Sequence, residues 1–210
     1  MKIFVSIFFA FLITVTGEIP CENEWMLVKD KSDIKIYSCK LEDSGIKQIK
    51  ANTSADASIS DLTKLLMDVN AFPDWMPNVK STEILKKVSE SEMYYYIEVK
   101  IPWPFSNRDN IMHIKLHKDT VTKTERIIIE GIPGYIPERP DLVRIQKSCG
   151  MWEFTPNENG STAILLKYLA DPGGSVPAWI VNFFVADVPY KTLIRLKETL
   201  KKKNATNLKE

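Results

Sequence analysis

The chain has 210 residues, of which 44% are hydrophobic and 26% are charged, and its 28 Lys and Arg residues nearly balance its 27 Asp and Glu residues. This composition is typical of a globular protein and argues against a disordered, collagen-like or coiled-coil chain. Because the net charge is close to zero and no long block of like charge precedes the last few residues, the sequence also argues against a nucleic-acid partner.

The first 17 residues have the pattern of a secretory signal. Lys2 precedes the apolar run Ile3–Val15, which is shorter than the roughly 20 residues that a membrane-spanning helix needs. We predict cleavage after Gly17 and export to the periplasm or the extracellular space. Retention of this segment as an N-terminal anchor is the alternative.

An oxidising compartment would permit one disulfide among the three cysteines, Cys21, Cys39 and Cys149. One thiol would then remain. The sequence does not choose the pair.

A meander of three short strands is predicted after the signal, from alternating apolar residues between turns, at Trp25–Lys29, Ile34–Cys39 and Ile46–Ala51. The apolar period then changes and predicts a helix over Ile59–Val69, with Ser58 as its N-cap. A turn with two prolines follows this helix and ends it.

Six further strands and a C-terminal helix complete the chain. The strands are predicted at Val79–Lys87, Glu92–Ile101, Asn110–His117, Glu125–Glu130, Leu142–Phe154 and Ala163–Ala170. The helix is long and amphipathic, with Ser175 as a candidate N-cap, Pro177 in its first turn and a kink expected at Pro189. This order predicts an α+β fold, in which a curved antiparallel sheet is covered on one face by helix.

Residues that could carry catalysis are scarce. The two histidines, His113 and His117, lie on a predicted strand, where they would stand roughly 13 Å apart and too far apart to share a metal ion. No hydrolase, redox or phosphate-loop motif occurs. We therefore predict no metal, no cofactor and no enzymatic activity, although acid–base catalysis by scattered Asp or Glu residues stays open.

The predicted strands place apolar side chains on one face of the sheet. Met93, Tyr95, Ile97 and Val99 alternate with polar residues, as do Met112, Ile114 and Leu116. Alternation indicates which face is inside, but it does not distinguish a filled core from a hollow that holds a ligand.

Two motifs give a more specific indication. Residues 102–109 read PWPFSNRD and residues 171–182 read DPGGSVPAWIVN. Both closely resemble signatures of the START (steroidogenic acute regulatory protein-related lipid transfer) family, in the same order and at a similar separation. The resemblance covers about Trp25 to Lys203. It implies a helix-grip fold, a curved antiparallel sheet that holds a long C-terminal helix around an apolar tunnel, and a function that is not generally enzymatic.

The resemblance and the strand alternation together predict the residues that line the cavity. These are Tyr95, Ile97, Trp103, Met112, Ile114, Arg144, Trp179, Ile180, Phe183 and Phe184. In sterol-handling animal members an acid and a base meet in the tunnel, and Tyr95 and Ile114 take their places here. An inward Arg144 would need either a carboxylate partner or the anionic head group of a ligand, because an isolated buried charge is costly.

The sequence thus predicts a signal peptide at 1–17, a short extension at 18–24, a START-like lipid-binding domain at 25–203 and a polar tail at 204–210. The predicted function is binding of a single lipid or other hydrophobic molecule, with transfer between membranes. The expected protein is a monomer that touches membranes transiently. Two alternatives stay open, namely a cyclase or hydrolase on the same scaffold, and a structural or interaction domain with a filled interior.

Overall fold

The structure is a computed structural model that describes residues 21, 24–41, 47–173 and 176–207. Its strands are β1 (Met26–Lys31), β2 (Ile34–Lys40), β3 (Lys47–Ala55), β4 (Val79–Ser89), β5 (Glu92–Val99), β6 (Arg108–Asp119), β7 (Thr124–Gly131), β8 (Val143–Arg144), β9 (Ser148–Pro156) and β10 (Thr162–Ala170). They form one sheet in the order β1-β2-β3-β10-β9-β7-β6-β5-β4, with antiparallel neighbours throughout. The predicted antiparallel sheet is confirmed.

The strand order joins the first strands of the chain to the last. β3 pairs with β10 from Ala55 opposite Thr162 to Gln48 opposite Leu169. The N-terminal meander and the later strands therefore share one continuous inner face, which the helices cover.

Three short helical segments follow β3 and pack on that face. Helix α1 (Ile59–Met67) begins at the predicted cap, where the Ser58 hydroxyl accepts a hydrogen bond from the Asp61 backbone N–H at 3.1 Å. A 3₁₀ turn over Val69–Ala71 and the short helix α2 (Phe72–Trp75) come next. The side chains of Leu62, Leu65, Leu66, Phe72 and Trp75 are buried in the core.

The C-terminal helix has three parts, namely α3 (Ala178–Asn182), a π-helical turn over Phe183–Asp187 and α4 (Val188–Asn207). The N–H of Val188 bonds the Phe183 carbonyl five residues back. Pro189 lacks an N–H and crowds the preceding turn. The kink predicted at Pro189 therefore takes the form of a π-helical turn just before this residue. Pro177 precedes the helix instead of lying in its first turn, and Ser175 lies outside the described residues.

The strand predicted at Leu142–Phe154 is divided in the structure. β8 leaves the sheet order and pairs in parallel with the start of β6, while β9 begins only at Ser148. The segment 132–147 crosses the outer face of the sheet. It covers Tyr96, over whose ring the Arg139 guanidinium lies at 3.8 Å from the centroid, and this cover explains why Tyr96 is buried although alternation places it outside.

Cys21 and Cys39 form a disulfide, with their Cα atoms 6.3 Å apart, and Cys149 keeps its thiol. This bond fixes the start of the described chain to β2. Among the described residues, no helix is both long enough and apolar enough to cross a membrane. The predicted signal at 1–17 lies outside them.

Candidate ligand-binding site

The predicted wall residues on the sheet come together in one buried cluster. Tyr95, Ile97, Met112 and Ile114 all belong to the core between the inner face of the sheet and the helices. The Tyr95 ring meets the Phe72 ring edge to face, with centroids 6.0 Å apart. Their inward orientation therefore agrees with the structure, and their contact with a ligand stays a prediction.

The predicted helix residues separate into a buried and an exposed set. Ile180 is fully buried, whereas Phe183 and Phe184 are half-buried and meet edge to face at 5.3 Å. Trp179 is 53% exposed, so its assignment to the cavity wall is corrected. A helix in contact with a sheet turns only part of its surface inward, and Trp179 lies on the other part.

Trp103 requires the same correction, because its side chain is 91% exposed. The loop between β5 and β6, with a cis Trp103–Pro104 peptide bond, holds it away from the sheet. Phe105 of the same loop contacts Trp179, with ring centroids 6.4 Å apart. We call these three residues, the exposed Trp103 and the contacting pair Phe105 and Trp179, the loop–helix patch.

Arg144 does not face the core either. Its side chain is buried against Asp109, with both carboxylate oxygens accepting hydrogen bonds at 2.9 Å. The same guanidinium donates to the carbonyls of Pro133, Ile136 and Pro137. Hydrogen bonding to Asp109 raises the pKa of Arg144 above its usual range. Of the two partners expected for Arg144, the structure supplies the carboxylate, and the arginine fastens the segment 132–147.

Arg108 joins the two motifs that carry the family resemblance. It donates from Nε to the Pro172 carbonyl at 3.0 Å, from Nη2 to the Gly173 carbonyl at 3.2 Å and from Nη1 to the Ser106 carbonyl at 2.5 Å. Burial lowers the pKa of its guanidinium. The residue therefore connects the β5–β6 loop to the segment that leads into the C-terminal helix.

A polar cluster on the inner face was not predicted as a unit. The Asn110 amide donates from Nδ2 to the Ser148 hydroxyl at 2.7 Å and also interacts with the Tyr168 phenol. Alternation places Asn110 inward two residues before Met112. The sequence does not reveal their pairing, because β6 and β9 are separated by β7 and become close only through the folded sheet.

Two glycines make room for this cluster. A Cβ atom at Gly131 would overlap the Ser148 hydroxyl, and a Cβ atom at Gly150 would stand 2.7 Å from the Tyr168 ring. The Tyr168 ring thus lies over the backbone of the neighbouring strand. Burial raises the pKa of the Tyr168 phenol to about 12, and it raises that of the nearby Tyr95 phenol further. Both phenols are neutral at physiological pH.

The sequence profile of the START domain family matches residues 21–206. Among solved structures, the chain is similar to a STAR-related lipid transfer protein of Xanthomonas axonopodis, with a TM-score of 0.78 and 34% sequence identity over 85% of this chain and 99% of that one.

The chain is also similar in sequence to two curated proteins. The uncharacterized protein PA1579 of Pseudomonas aeruginosa is 29% identical over 95% of this chain and 97% of its own length. The phosphatidylcholine transfer protein of Mus musculus is 27% identical, with 76% of each chain covered. Since the family profile spans nearly all of the described residues and the fold agrees with it, this chain belongs to the START domain family.

Proposed function

We propose that the protein binds one lipid molecule between the inner face of its sheet and its C-terminal helix, and that it carries this lipid between membranes. Membership of the START family and the similarity to lipid transfer proteins support lipid binding in general. The single-molecule stoichiometry and the transfer are our proposal, as is a function without catalysis.

Tyr168 is the residue whose environment carries the proposal. It lies on β10, near the middle of the sheet, and faces the core. Its environment raises the pKa of the phenol to about 12, as expected for a deeply placed group. The side chain nevertheless stays only partly buried. Tyr168 packs against the apolar residues of the inner face, and we assign the lipid to this part of the interior.

The affinity of such a site should come from burial of the lipid's hydrocarbon. Each methylene that leaves water contributes about 0.8 kcal/mol. Since the apolar core residues of the inner face, among them Ile97, Met112 and Leu166, are uncharged, binding should depend weakly on salt.

We further propose that the loop–helix patch contacts the membrane during lipid exchange. Exposed tryptophans favour the boundary between lipid and water. Replacing Trp103 with Ala should slow lipid transfer between vesicles several-fold and leave the melting temperature unchanged, because the side chain contacts little of the protein. Val121 is 90% exposed in the β6–β7 turn, and Val121→Ala is the matched control. Equal transfer rates for the two variants would contradict the proposal.

Export is proposed from residues 1–17 alone, and a monomeric state from the family resemblance. N-terminal sequencing of the protein isolated from its host tests the first, with Glu18 expected as the new N-terminus. Retention of Met1 on a cytosolic species would contradict export.

Lipid binding is tested by native mass spectrometry of the protein isolated from its own host. We expect a species that carries one lipid per chain, which dissociates on activation in the gas phase. Conversion of that lipid to a product during incubation would favour an enzyme on the same scaffold.

A further inference from the structure

We propose that β1, the edge strand of the sheet, is a strap that holds the C-terminal helix closed over the lipid, and that the Cys21–Cys39 disulfide fixes this strap in place. The inference rests on the proposed lipid-binding function and specifies what limits release of the lipid. It concerns the edge of the sheet and is independent of the loop–helix patch.

Strand β1 contributes little to the hydrophobic core. Met26 is 60% exposed, Leu27 is 53% exposed and Val28 is 39% exposed, and every residue of the strand is exposed or half-buried. Among the described strands, β1 pairs with β2 alone, and the register of this pairing shifts between Leu27 and Lys29. Burial of apolar surface is the main force that holds an element in a fold. The position of β1 therefore depends on its pairing with β2 and on a few side-chain contacts.

The disulfide closes the β1–β2 pair at the end where β1 begins. Met26 lies opposite Ser38, and Ser38 is followed by Cys39, which bonds Cys21. The bond links residues 18 positions apart and so limits the freedom that a detached β1 would gain. Edge strands open locally at their free ends. The bond should therefore keep β1 from separating from β2 at this end.

The other contacts of β1 reach the C-terminal helix. The Lys29 ammonium forms an ion pair with the Asp187 carboxylate and lies 4.8 Å from the centroid of the Tyr190 ring. The hydroxyls of Ser32, in the turn after β1, and Tyr190 lie 3.3 Å apart. Asp187 ends the π-helical turn and Tyr190 lies in the first turn of α4. The strap thus holds the helix where its hydrogen-bonding pattern changes.

This part of the helix is the part whose movement would open the site. The π-helical turn interrupts the regular helix, and Pro189 supplies no N–H to it, so bending is easier here than in a regular helix. Val185 of the same turn lies in the core between sheet and helix, where we assign the lipid. A lipid between these two layers can leave only if one of them moves. Detaching β1 would remove the contacts of Lys29 with the turn, and the helix could then move away from the sheet.

The test removes the disulfide and measures lipid exchange. The double variant Cys21→Ser with Cys39→Ser lacks the bond, and Cys149→Ser is the matched control, because Cys149 keeps its thiol in the wild type. Each protein is loaded with pyrene-labelled phosphatidylcholine from vesicles, and release into an excess of unlabelled phosphatidylcholine vesicles is followed by fluorescence. We expect the double variant to load and to release the lipid several-fold faster than the wild type, and the control to match the wild type.

Amide hydrogen exchange, measured by mass spectrometry, locates the effect. In the double variant, exchange should accelerate both in β1 and in residues 183–190, since the strap and the turn open together. Lys29→Met keeps the disulfide but loses the ion pair with Asp187, so exchange should accelerate in residues 183–190 and stay close to wild type in β1. Lys31→Met, at an exposed position of the same strand, is its matched control. If the double cysteine variant does not fold, Lys29→Met alone decides the inference.

The outcomes separate the strap from lipid binding. Release and exchange equal to those of the controls would overturn the strap and leave lipid binding intact. Faster exchange in β1 without any change in residues 183–190 would also overturn it, because β1 would then not hold the helix. Failure of the wild type and of every variant to take up the labelled lipid would count against lipid binding, and the exchange pattern would still decide whether β1 holds the helix.

Discussion

Replacing Arg144 with Met should lower the free energy of unfolding by about 3–5 kcal/mol, the usual cost of removing one partner of a buried ion pair. The substitution leaves the Asp109 carboxylate buried without its counter-charge and frees three carbonyls of the segment 132–147. The measurement is urea unfolding at neutral pH.

Two controls accompany this prediction. Arg126 forms an ion pair with Glu153 on the surface, so Arg126→Met should change stability by at most about 1 kcal/mol. Replacing both members of the buried pair, Asp109→Leu with Arg144→Met, should recover part of the loss, since no unpaired charge remains. If Arg144→Met lowered the free energy of unfolding by less than Arg126→Met does, Asp109 and Arg144 would not stabilise the fold as a pair.

Replacing Ile114 with Trp should destabilise the protein by about 1–3 kcal/mol. If Ile114 lined an open tunnel, as the family resemblance implies, the larger side chain would fill empty space and be tolerated. The structure leaves Ile114 only 1% exposed, between Met93 of β5 and Ile129 of β7. A side chain with so little free surface touches protein on nearly all sides, so tryptophan would displace its neighbours.

The control for this variant is Ile128→Trp, since Ile128 is half-buried on the outer face of β7. We expect it to melt close to the wild type. An unchanged melting temperature for Ile114→Trp, together with lost lipid uptake, would instead place Ile114 on the wall of the cavity.

The strands and the inner face could be predicted because both depend on local periodicity. Alternation in β5 and β6 assigned Tyr95, Ile97, Met112 and Ile114 to the inside, and the structure buries all four. The capping residue Ser58 was likewise predictable, because a cap depends on neighbours in the sequence.

The errors arose where distant segments decide the environment of a residue. Arg144 lies in a strand of only two residues, and its partner Asp109 is 35 positions away. Trp103 lies in a loop, where no periodicity indicates which way a side chain points. Tyr96 and Glu98 were expected outside, but Tyr96 lies beneath Arg139 and Glu98 pairs with Lys80.

The contacts of the interior polar cluster could not be predicted from the sequence for the same reason. The inward direction of Asn110 follows from alternation, yet its partners depend on what β9 and β10 place beside it. Ser148 reaches it only because Gly131 has no side chain.

Native mass spectrometry of the protein isolated from its host most directly tests the central claim, that the interior holds a lipid. We expect one lipid per chain and, after delipidation, re-uptake of one lipid per chain from vesicles. A ligand-free protein that takes up no lipid from vesicles, with the melting temperature unchanged by their presence, would contradict it.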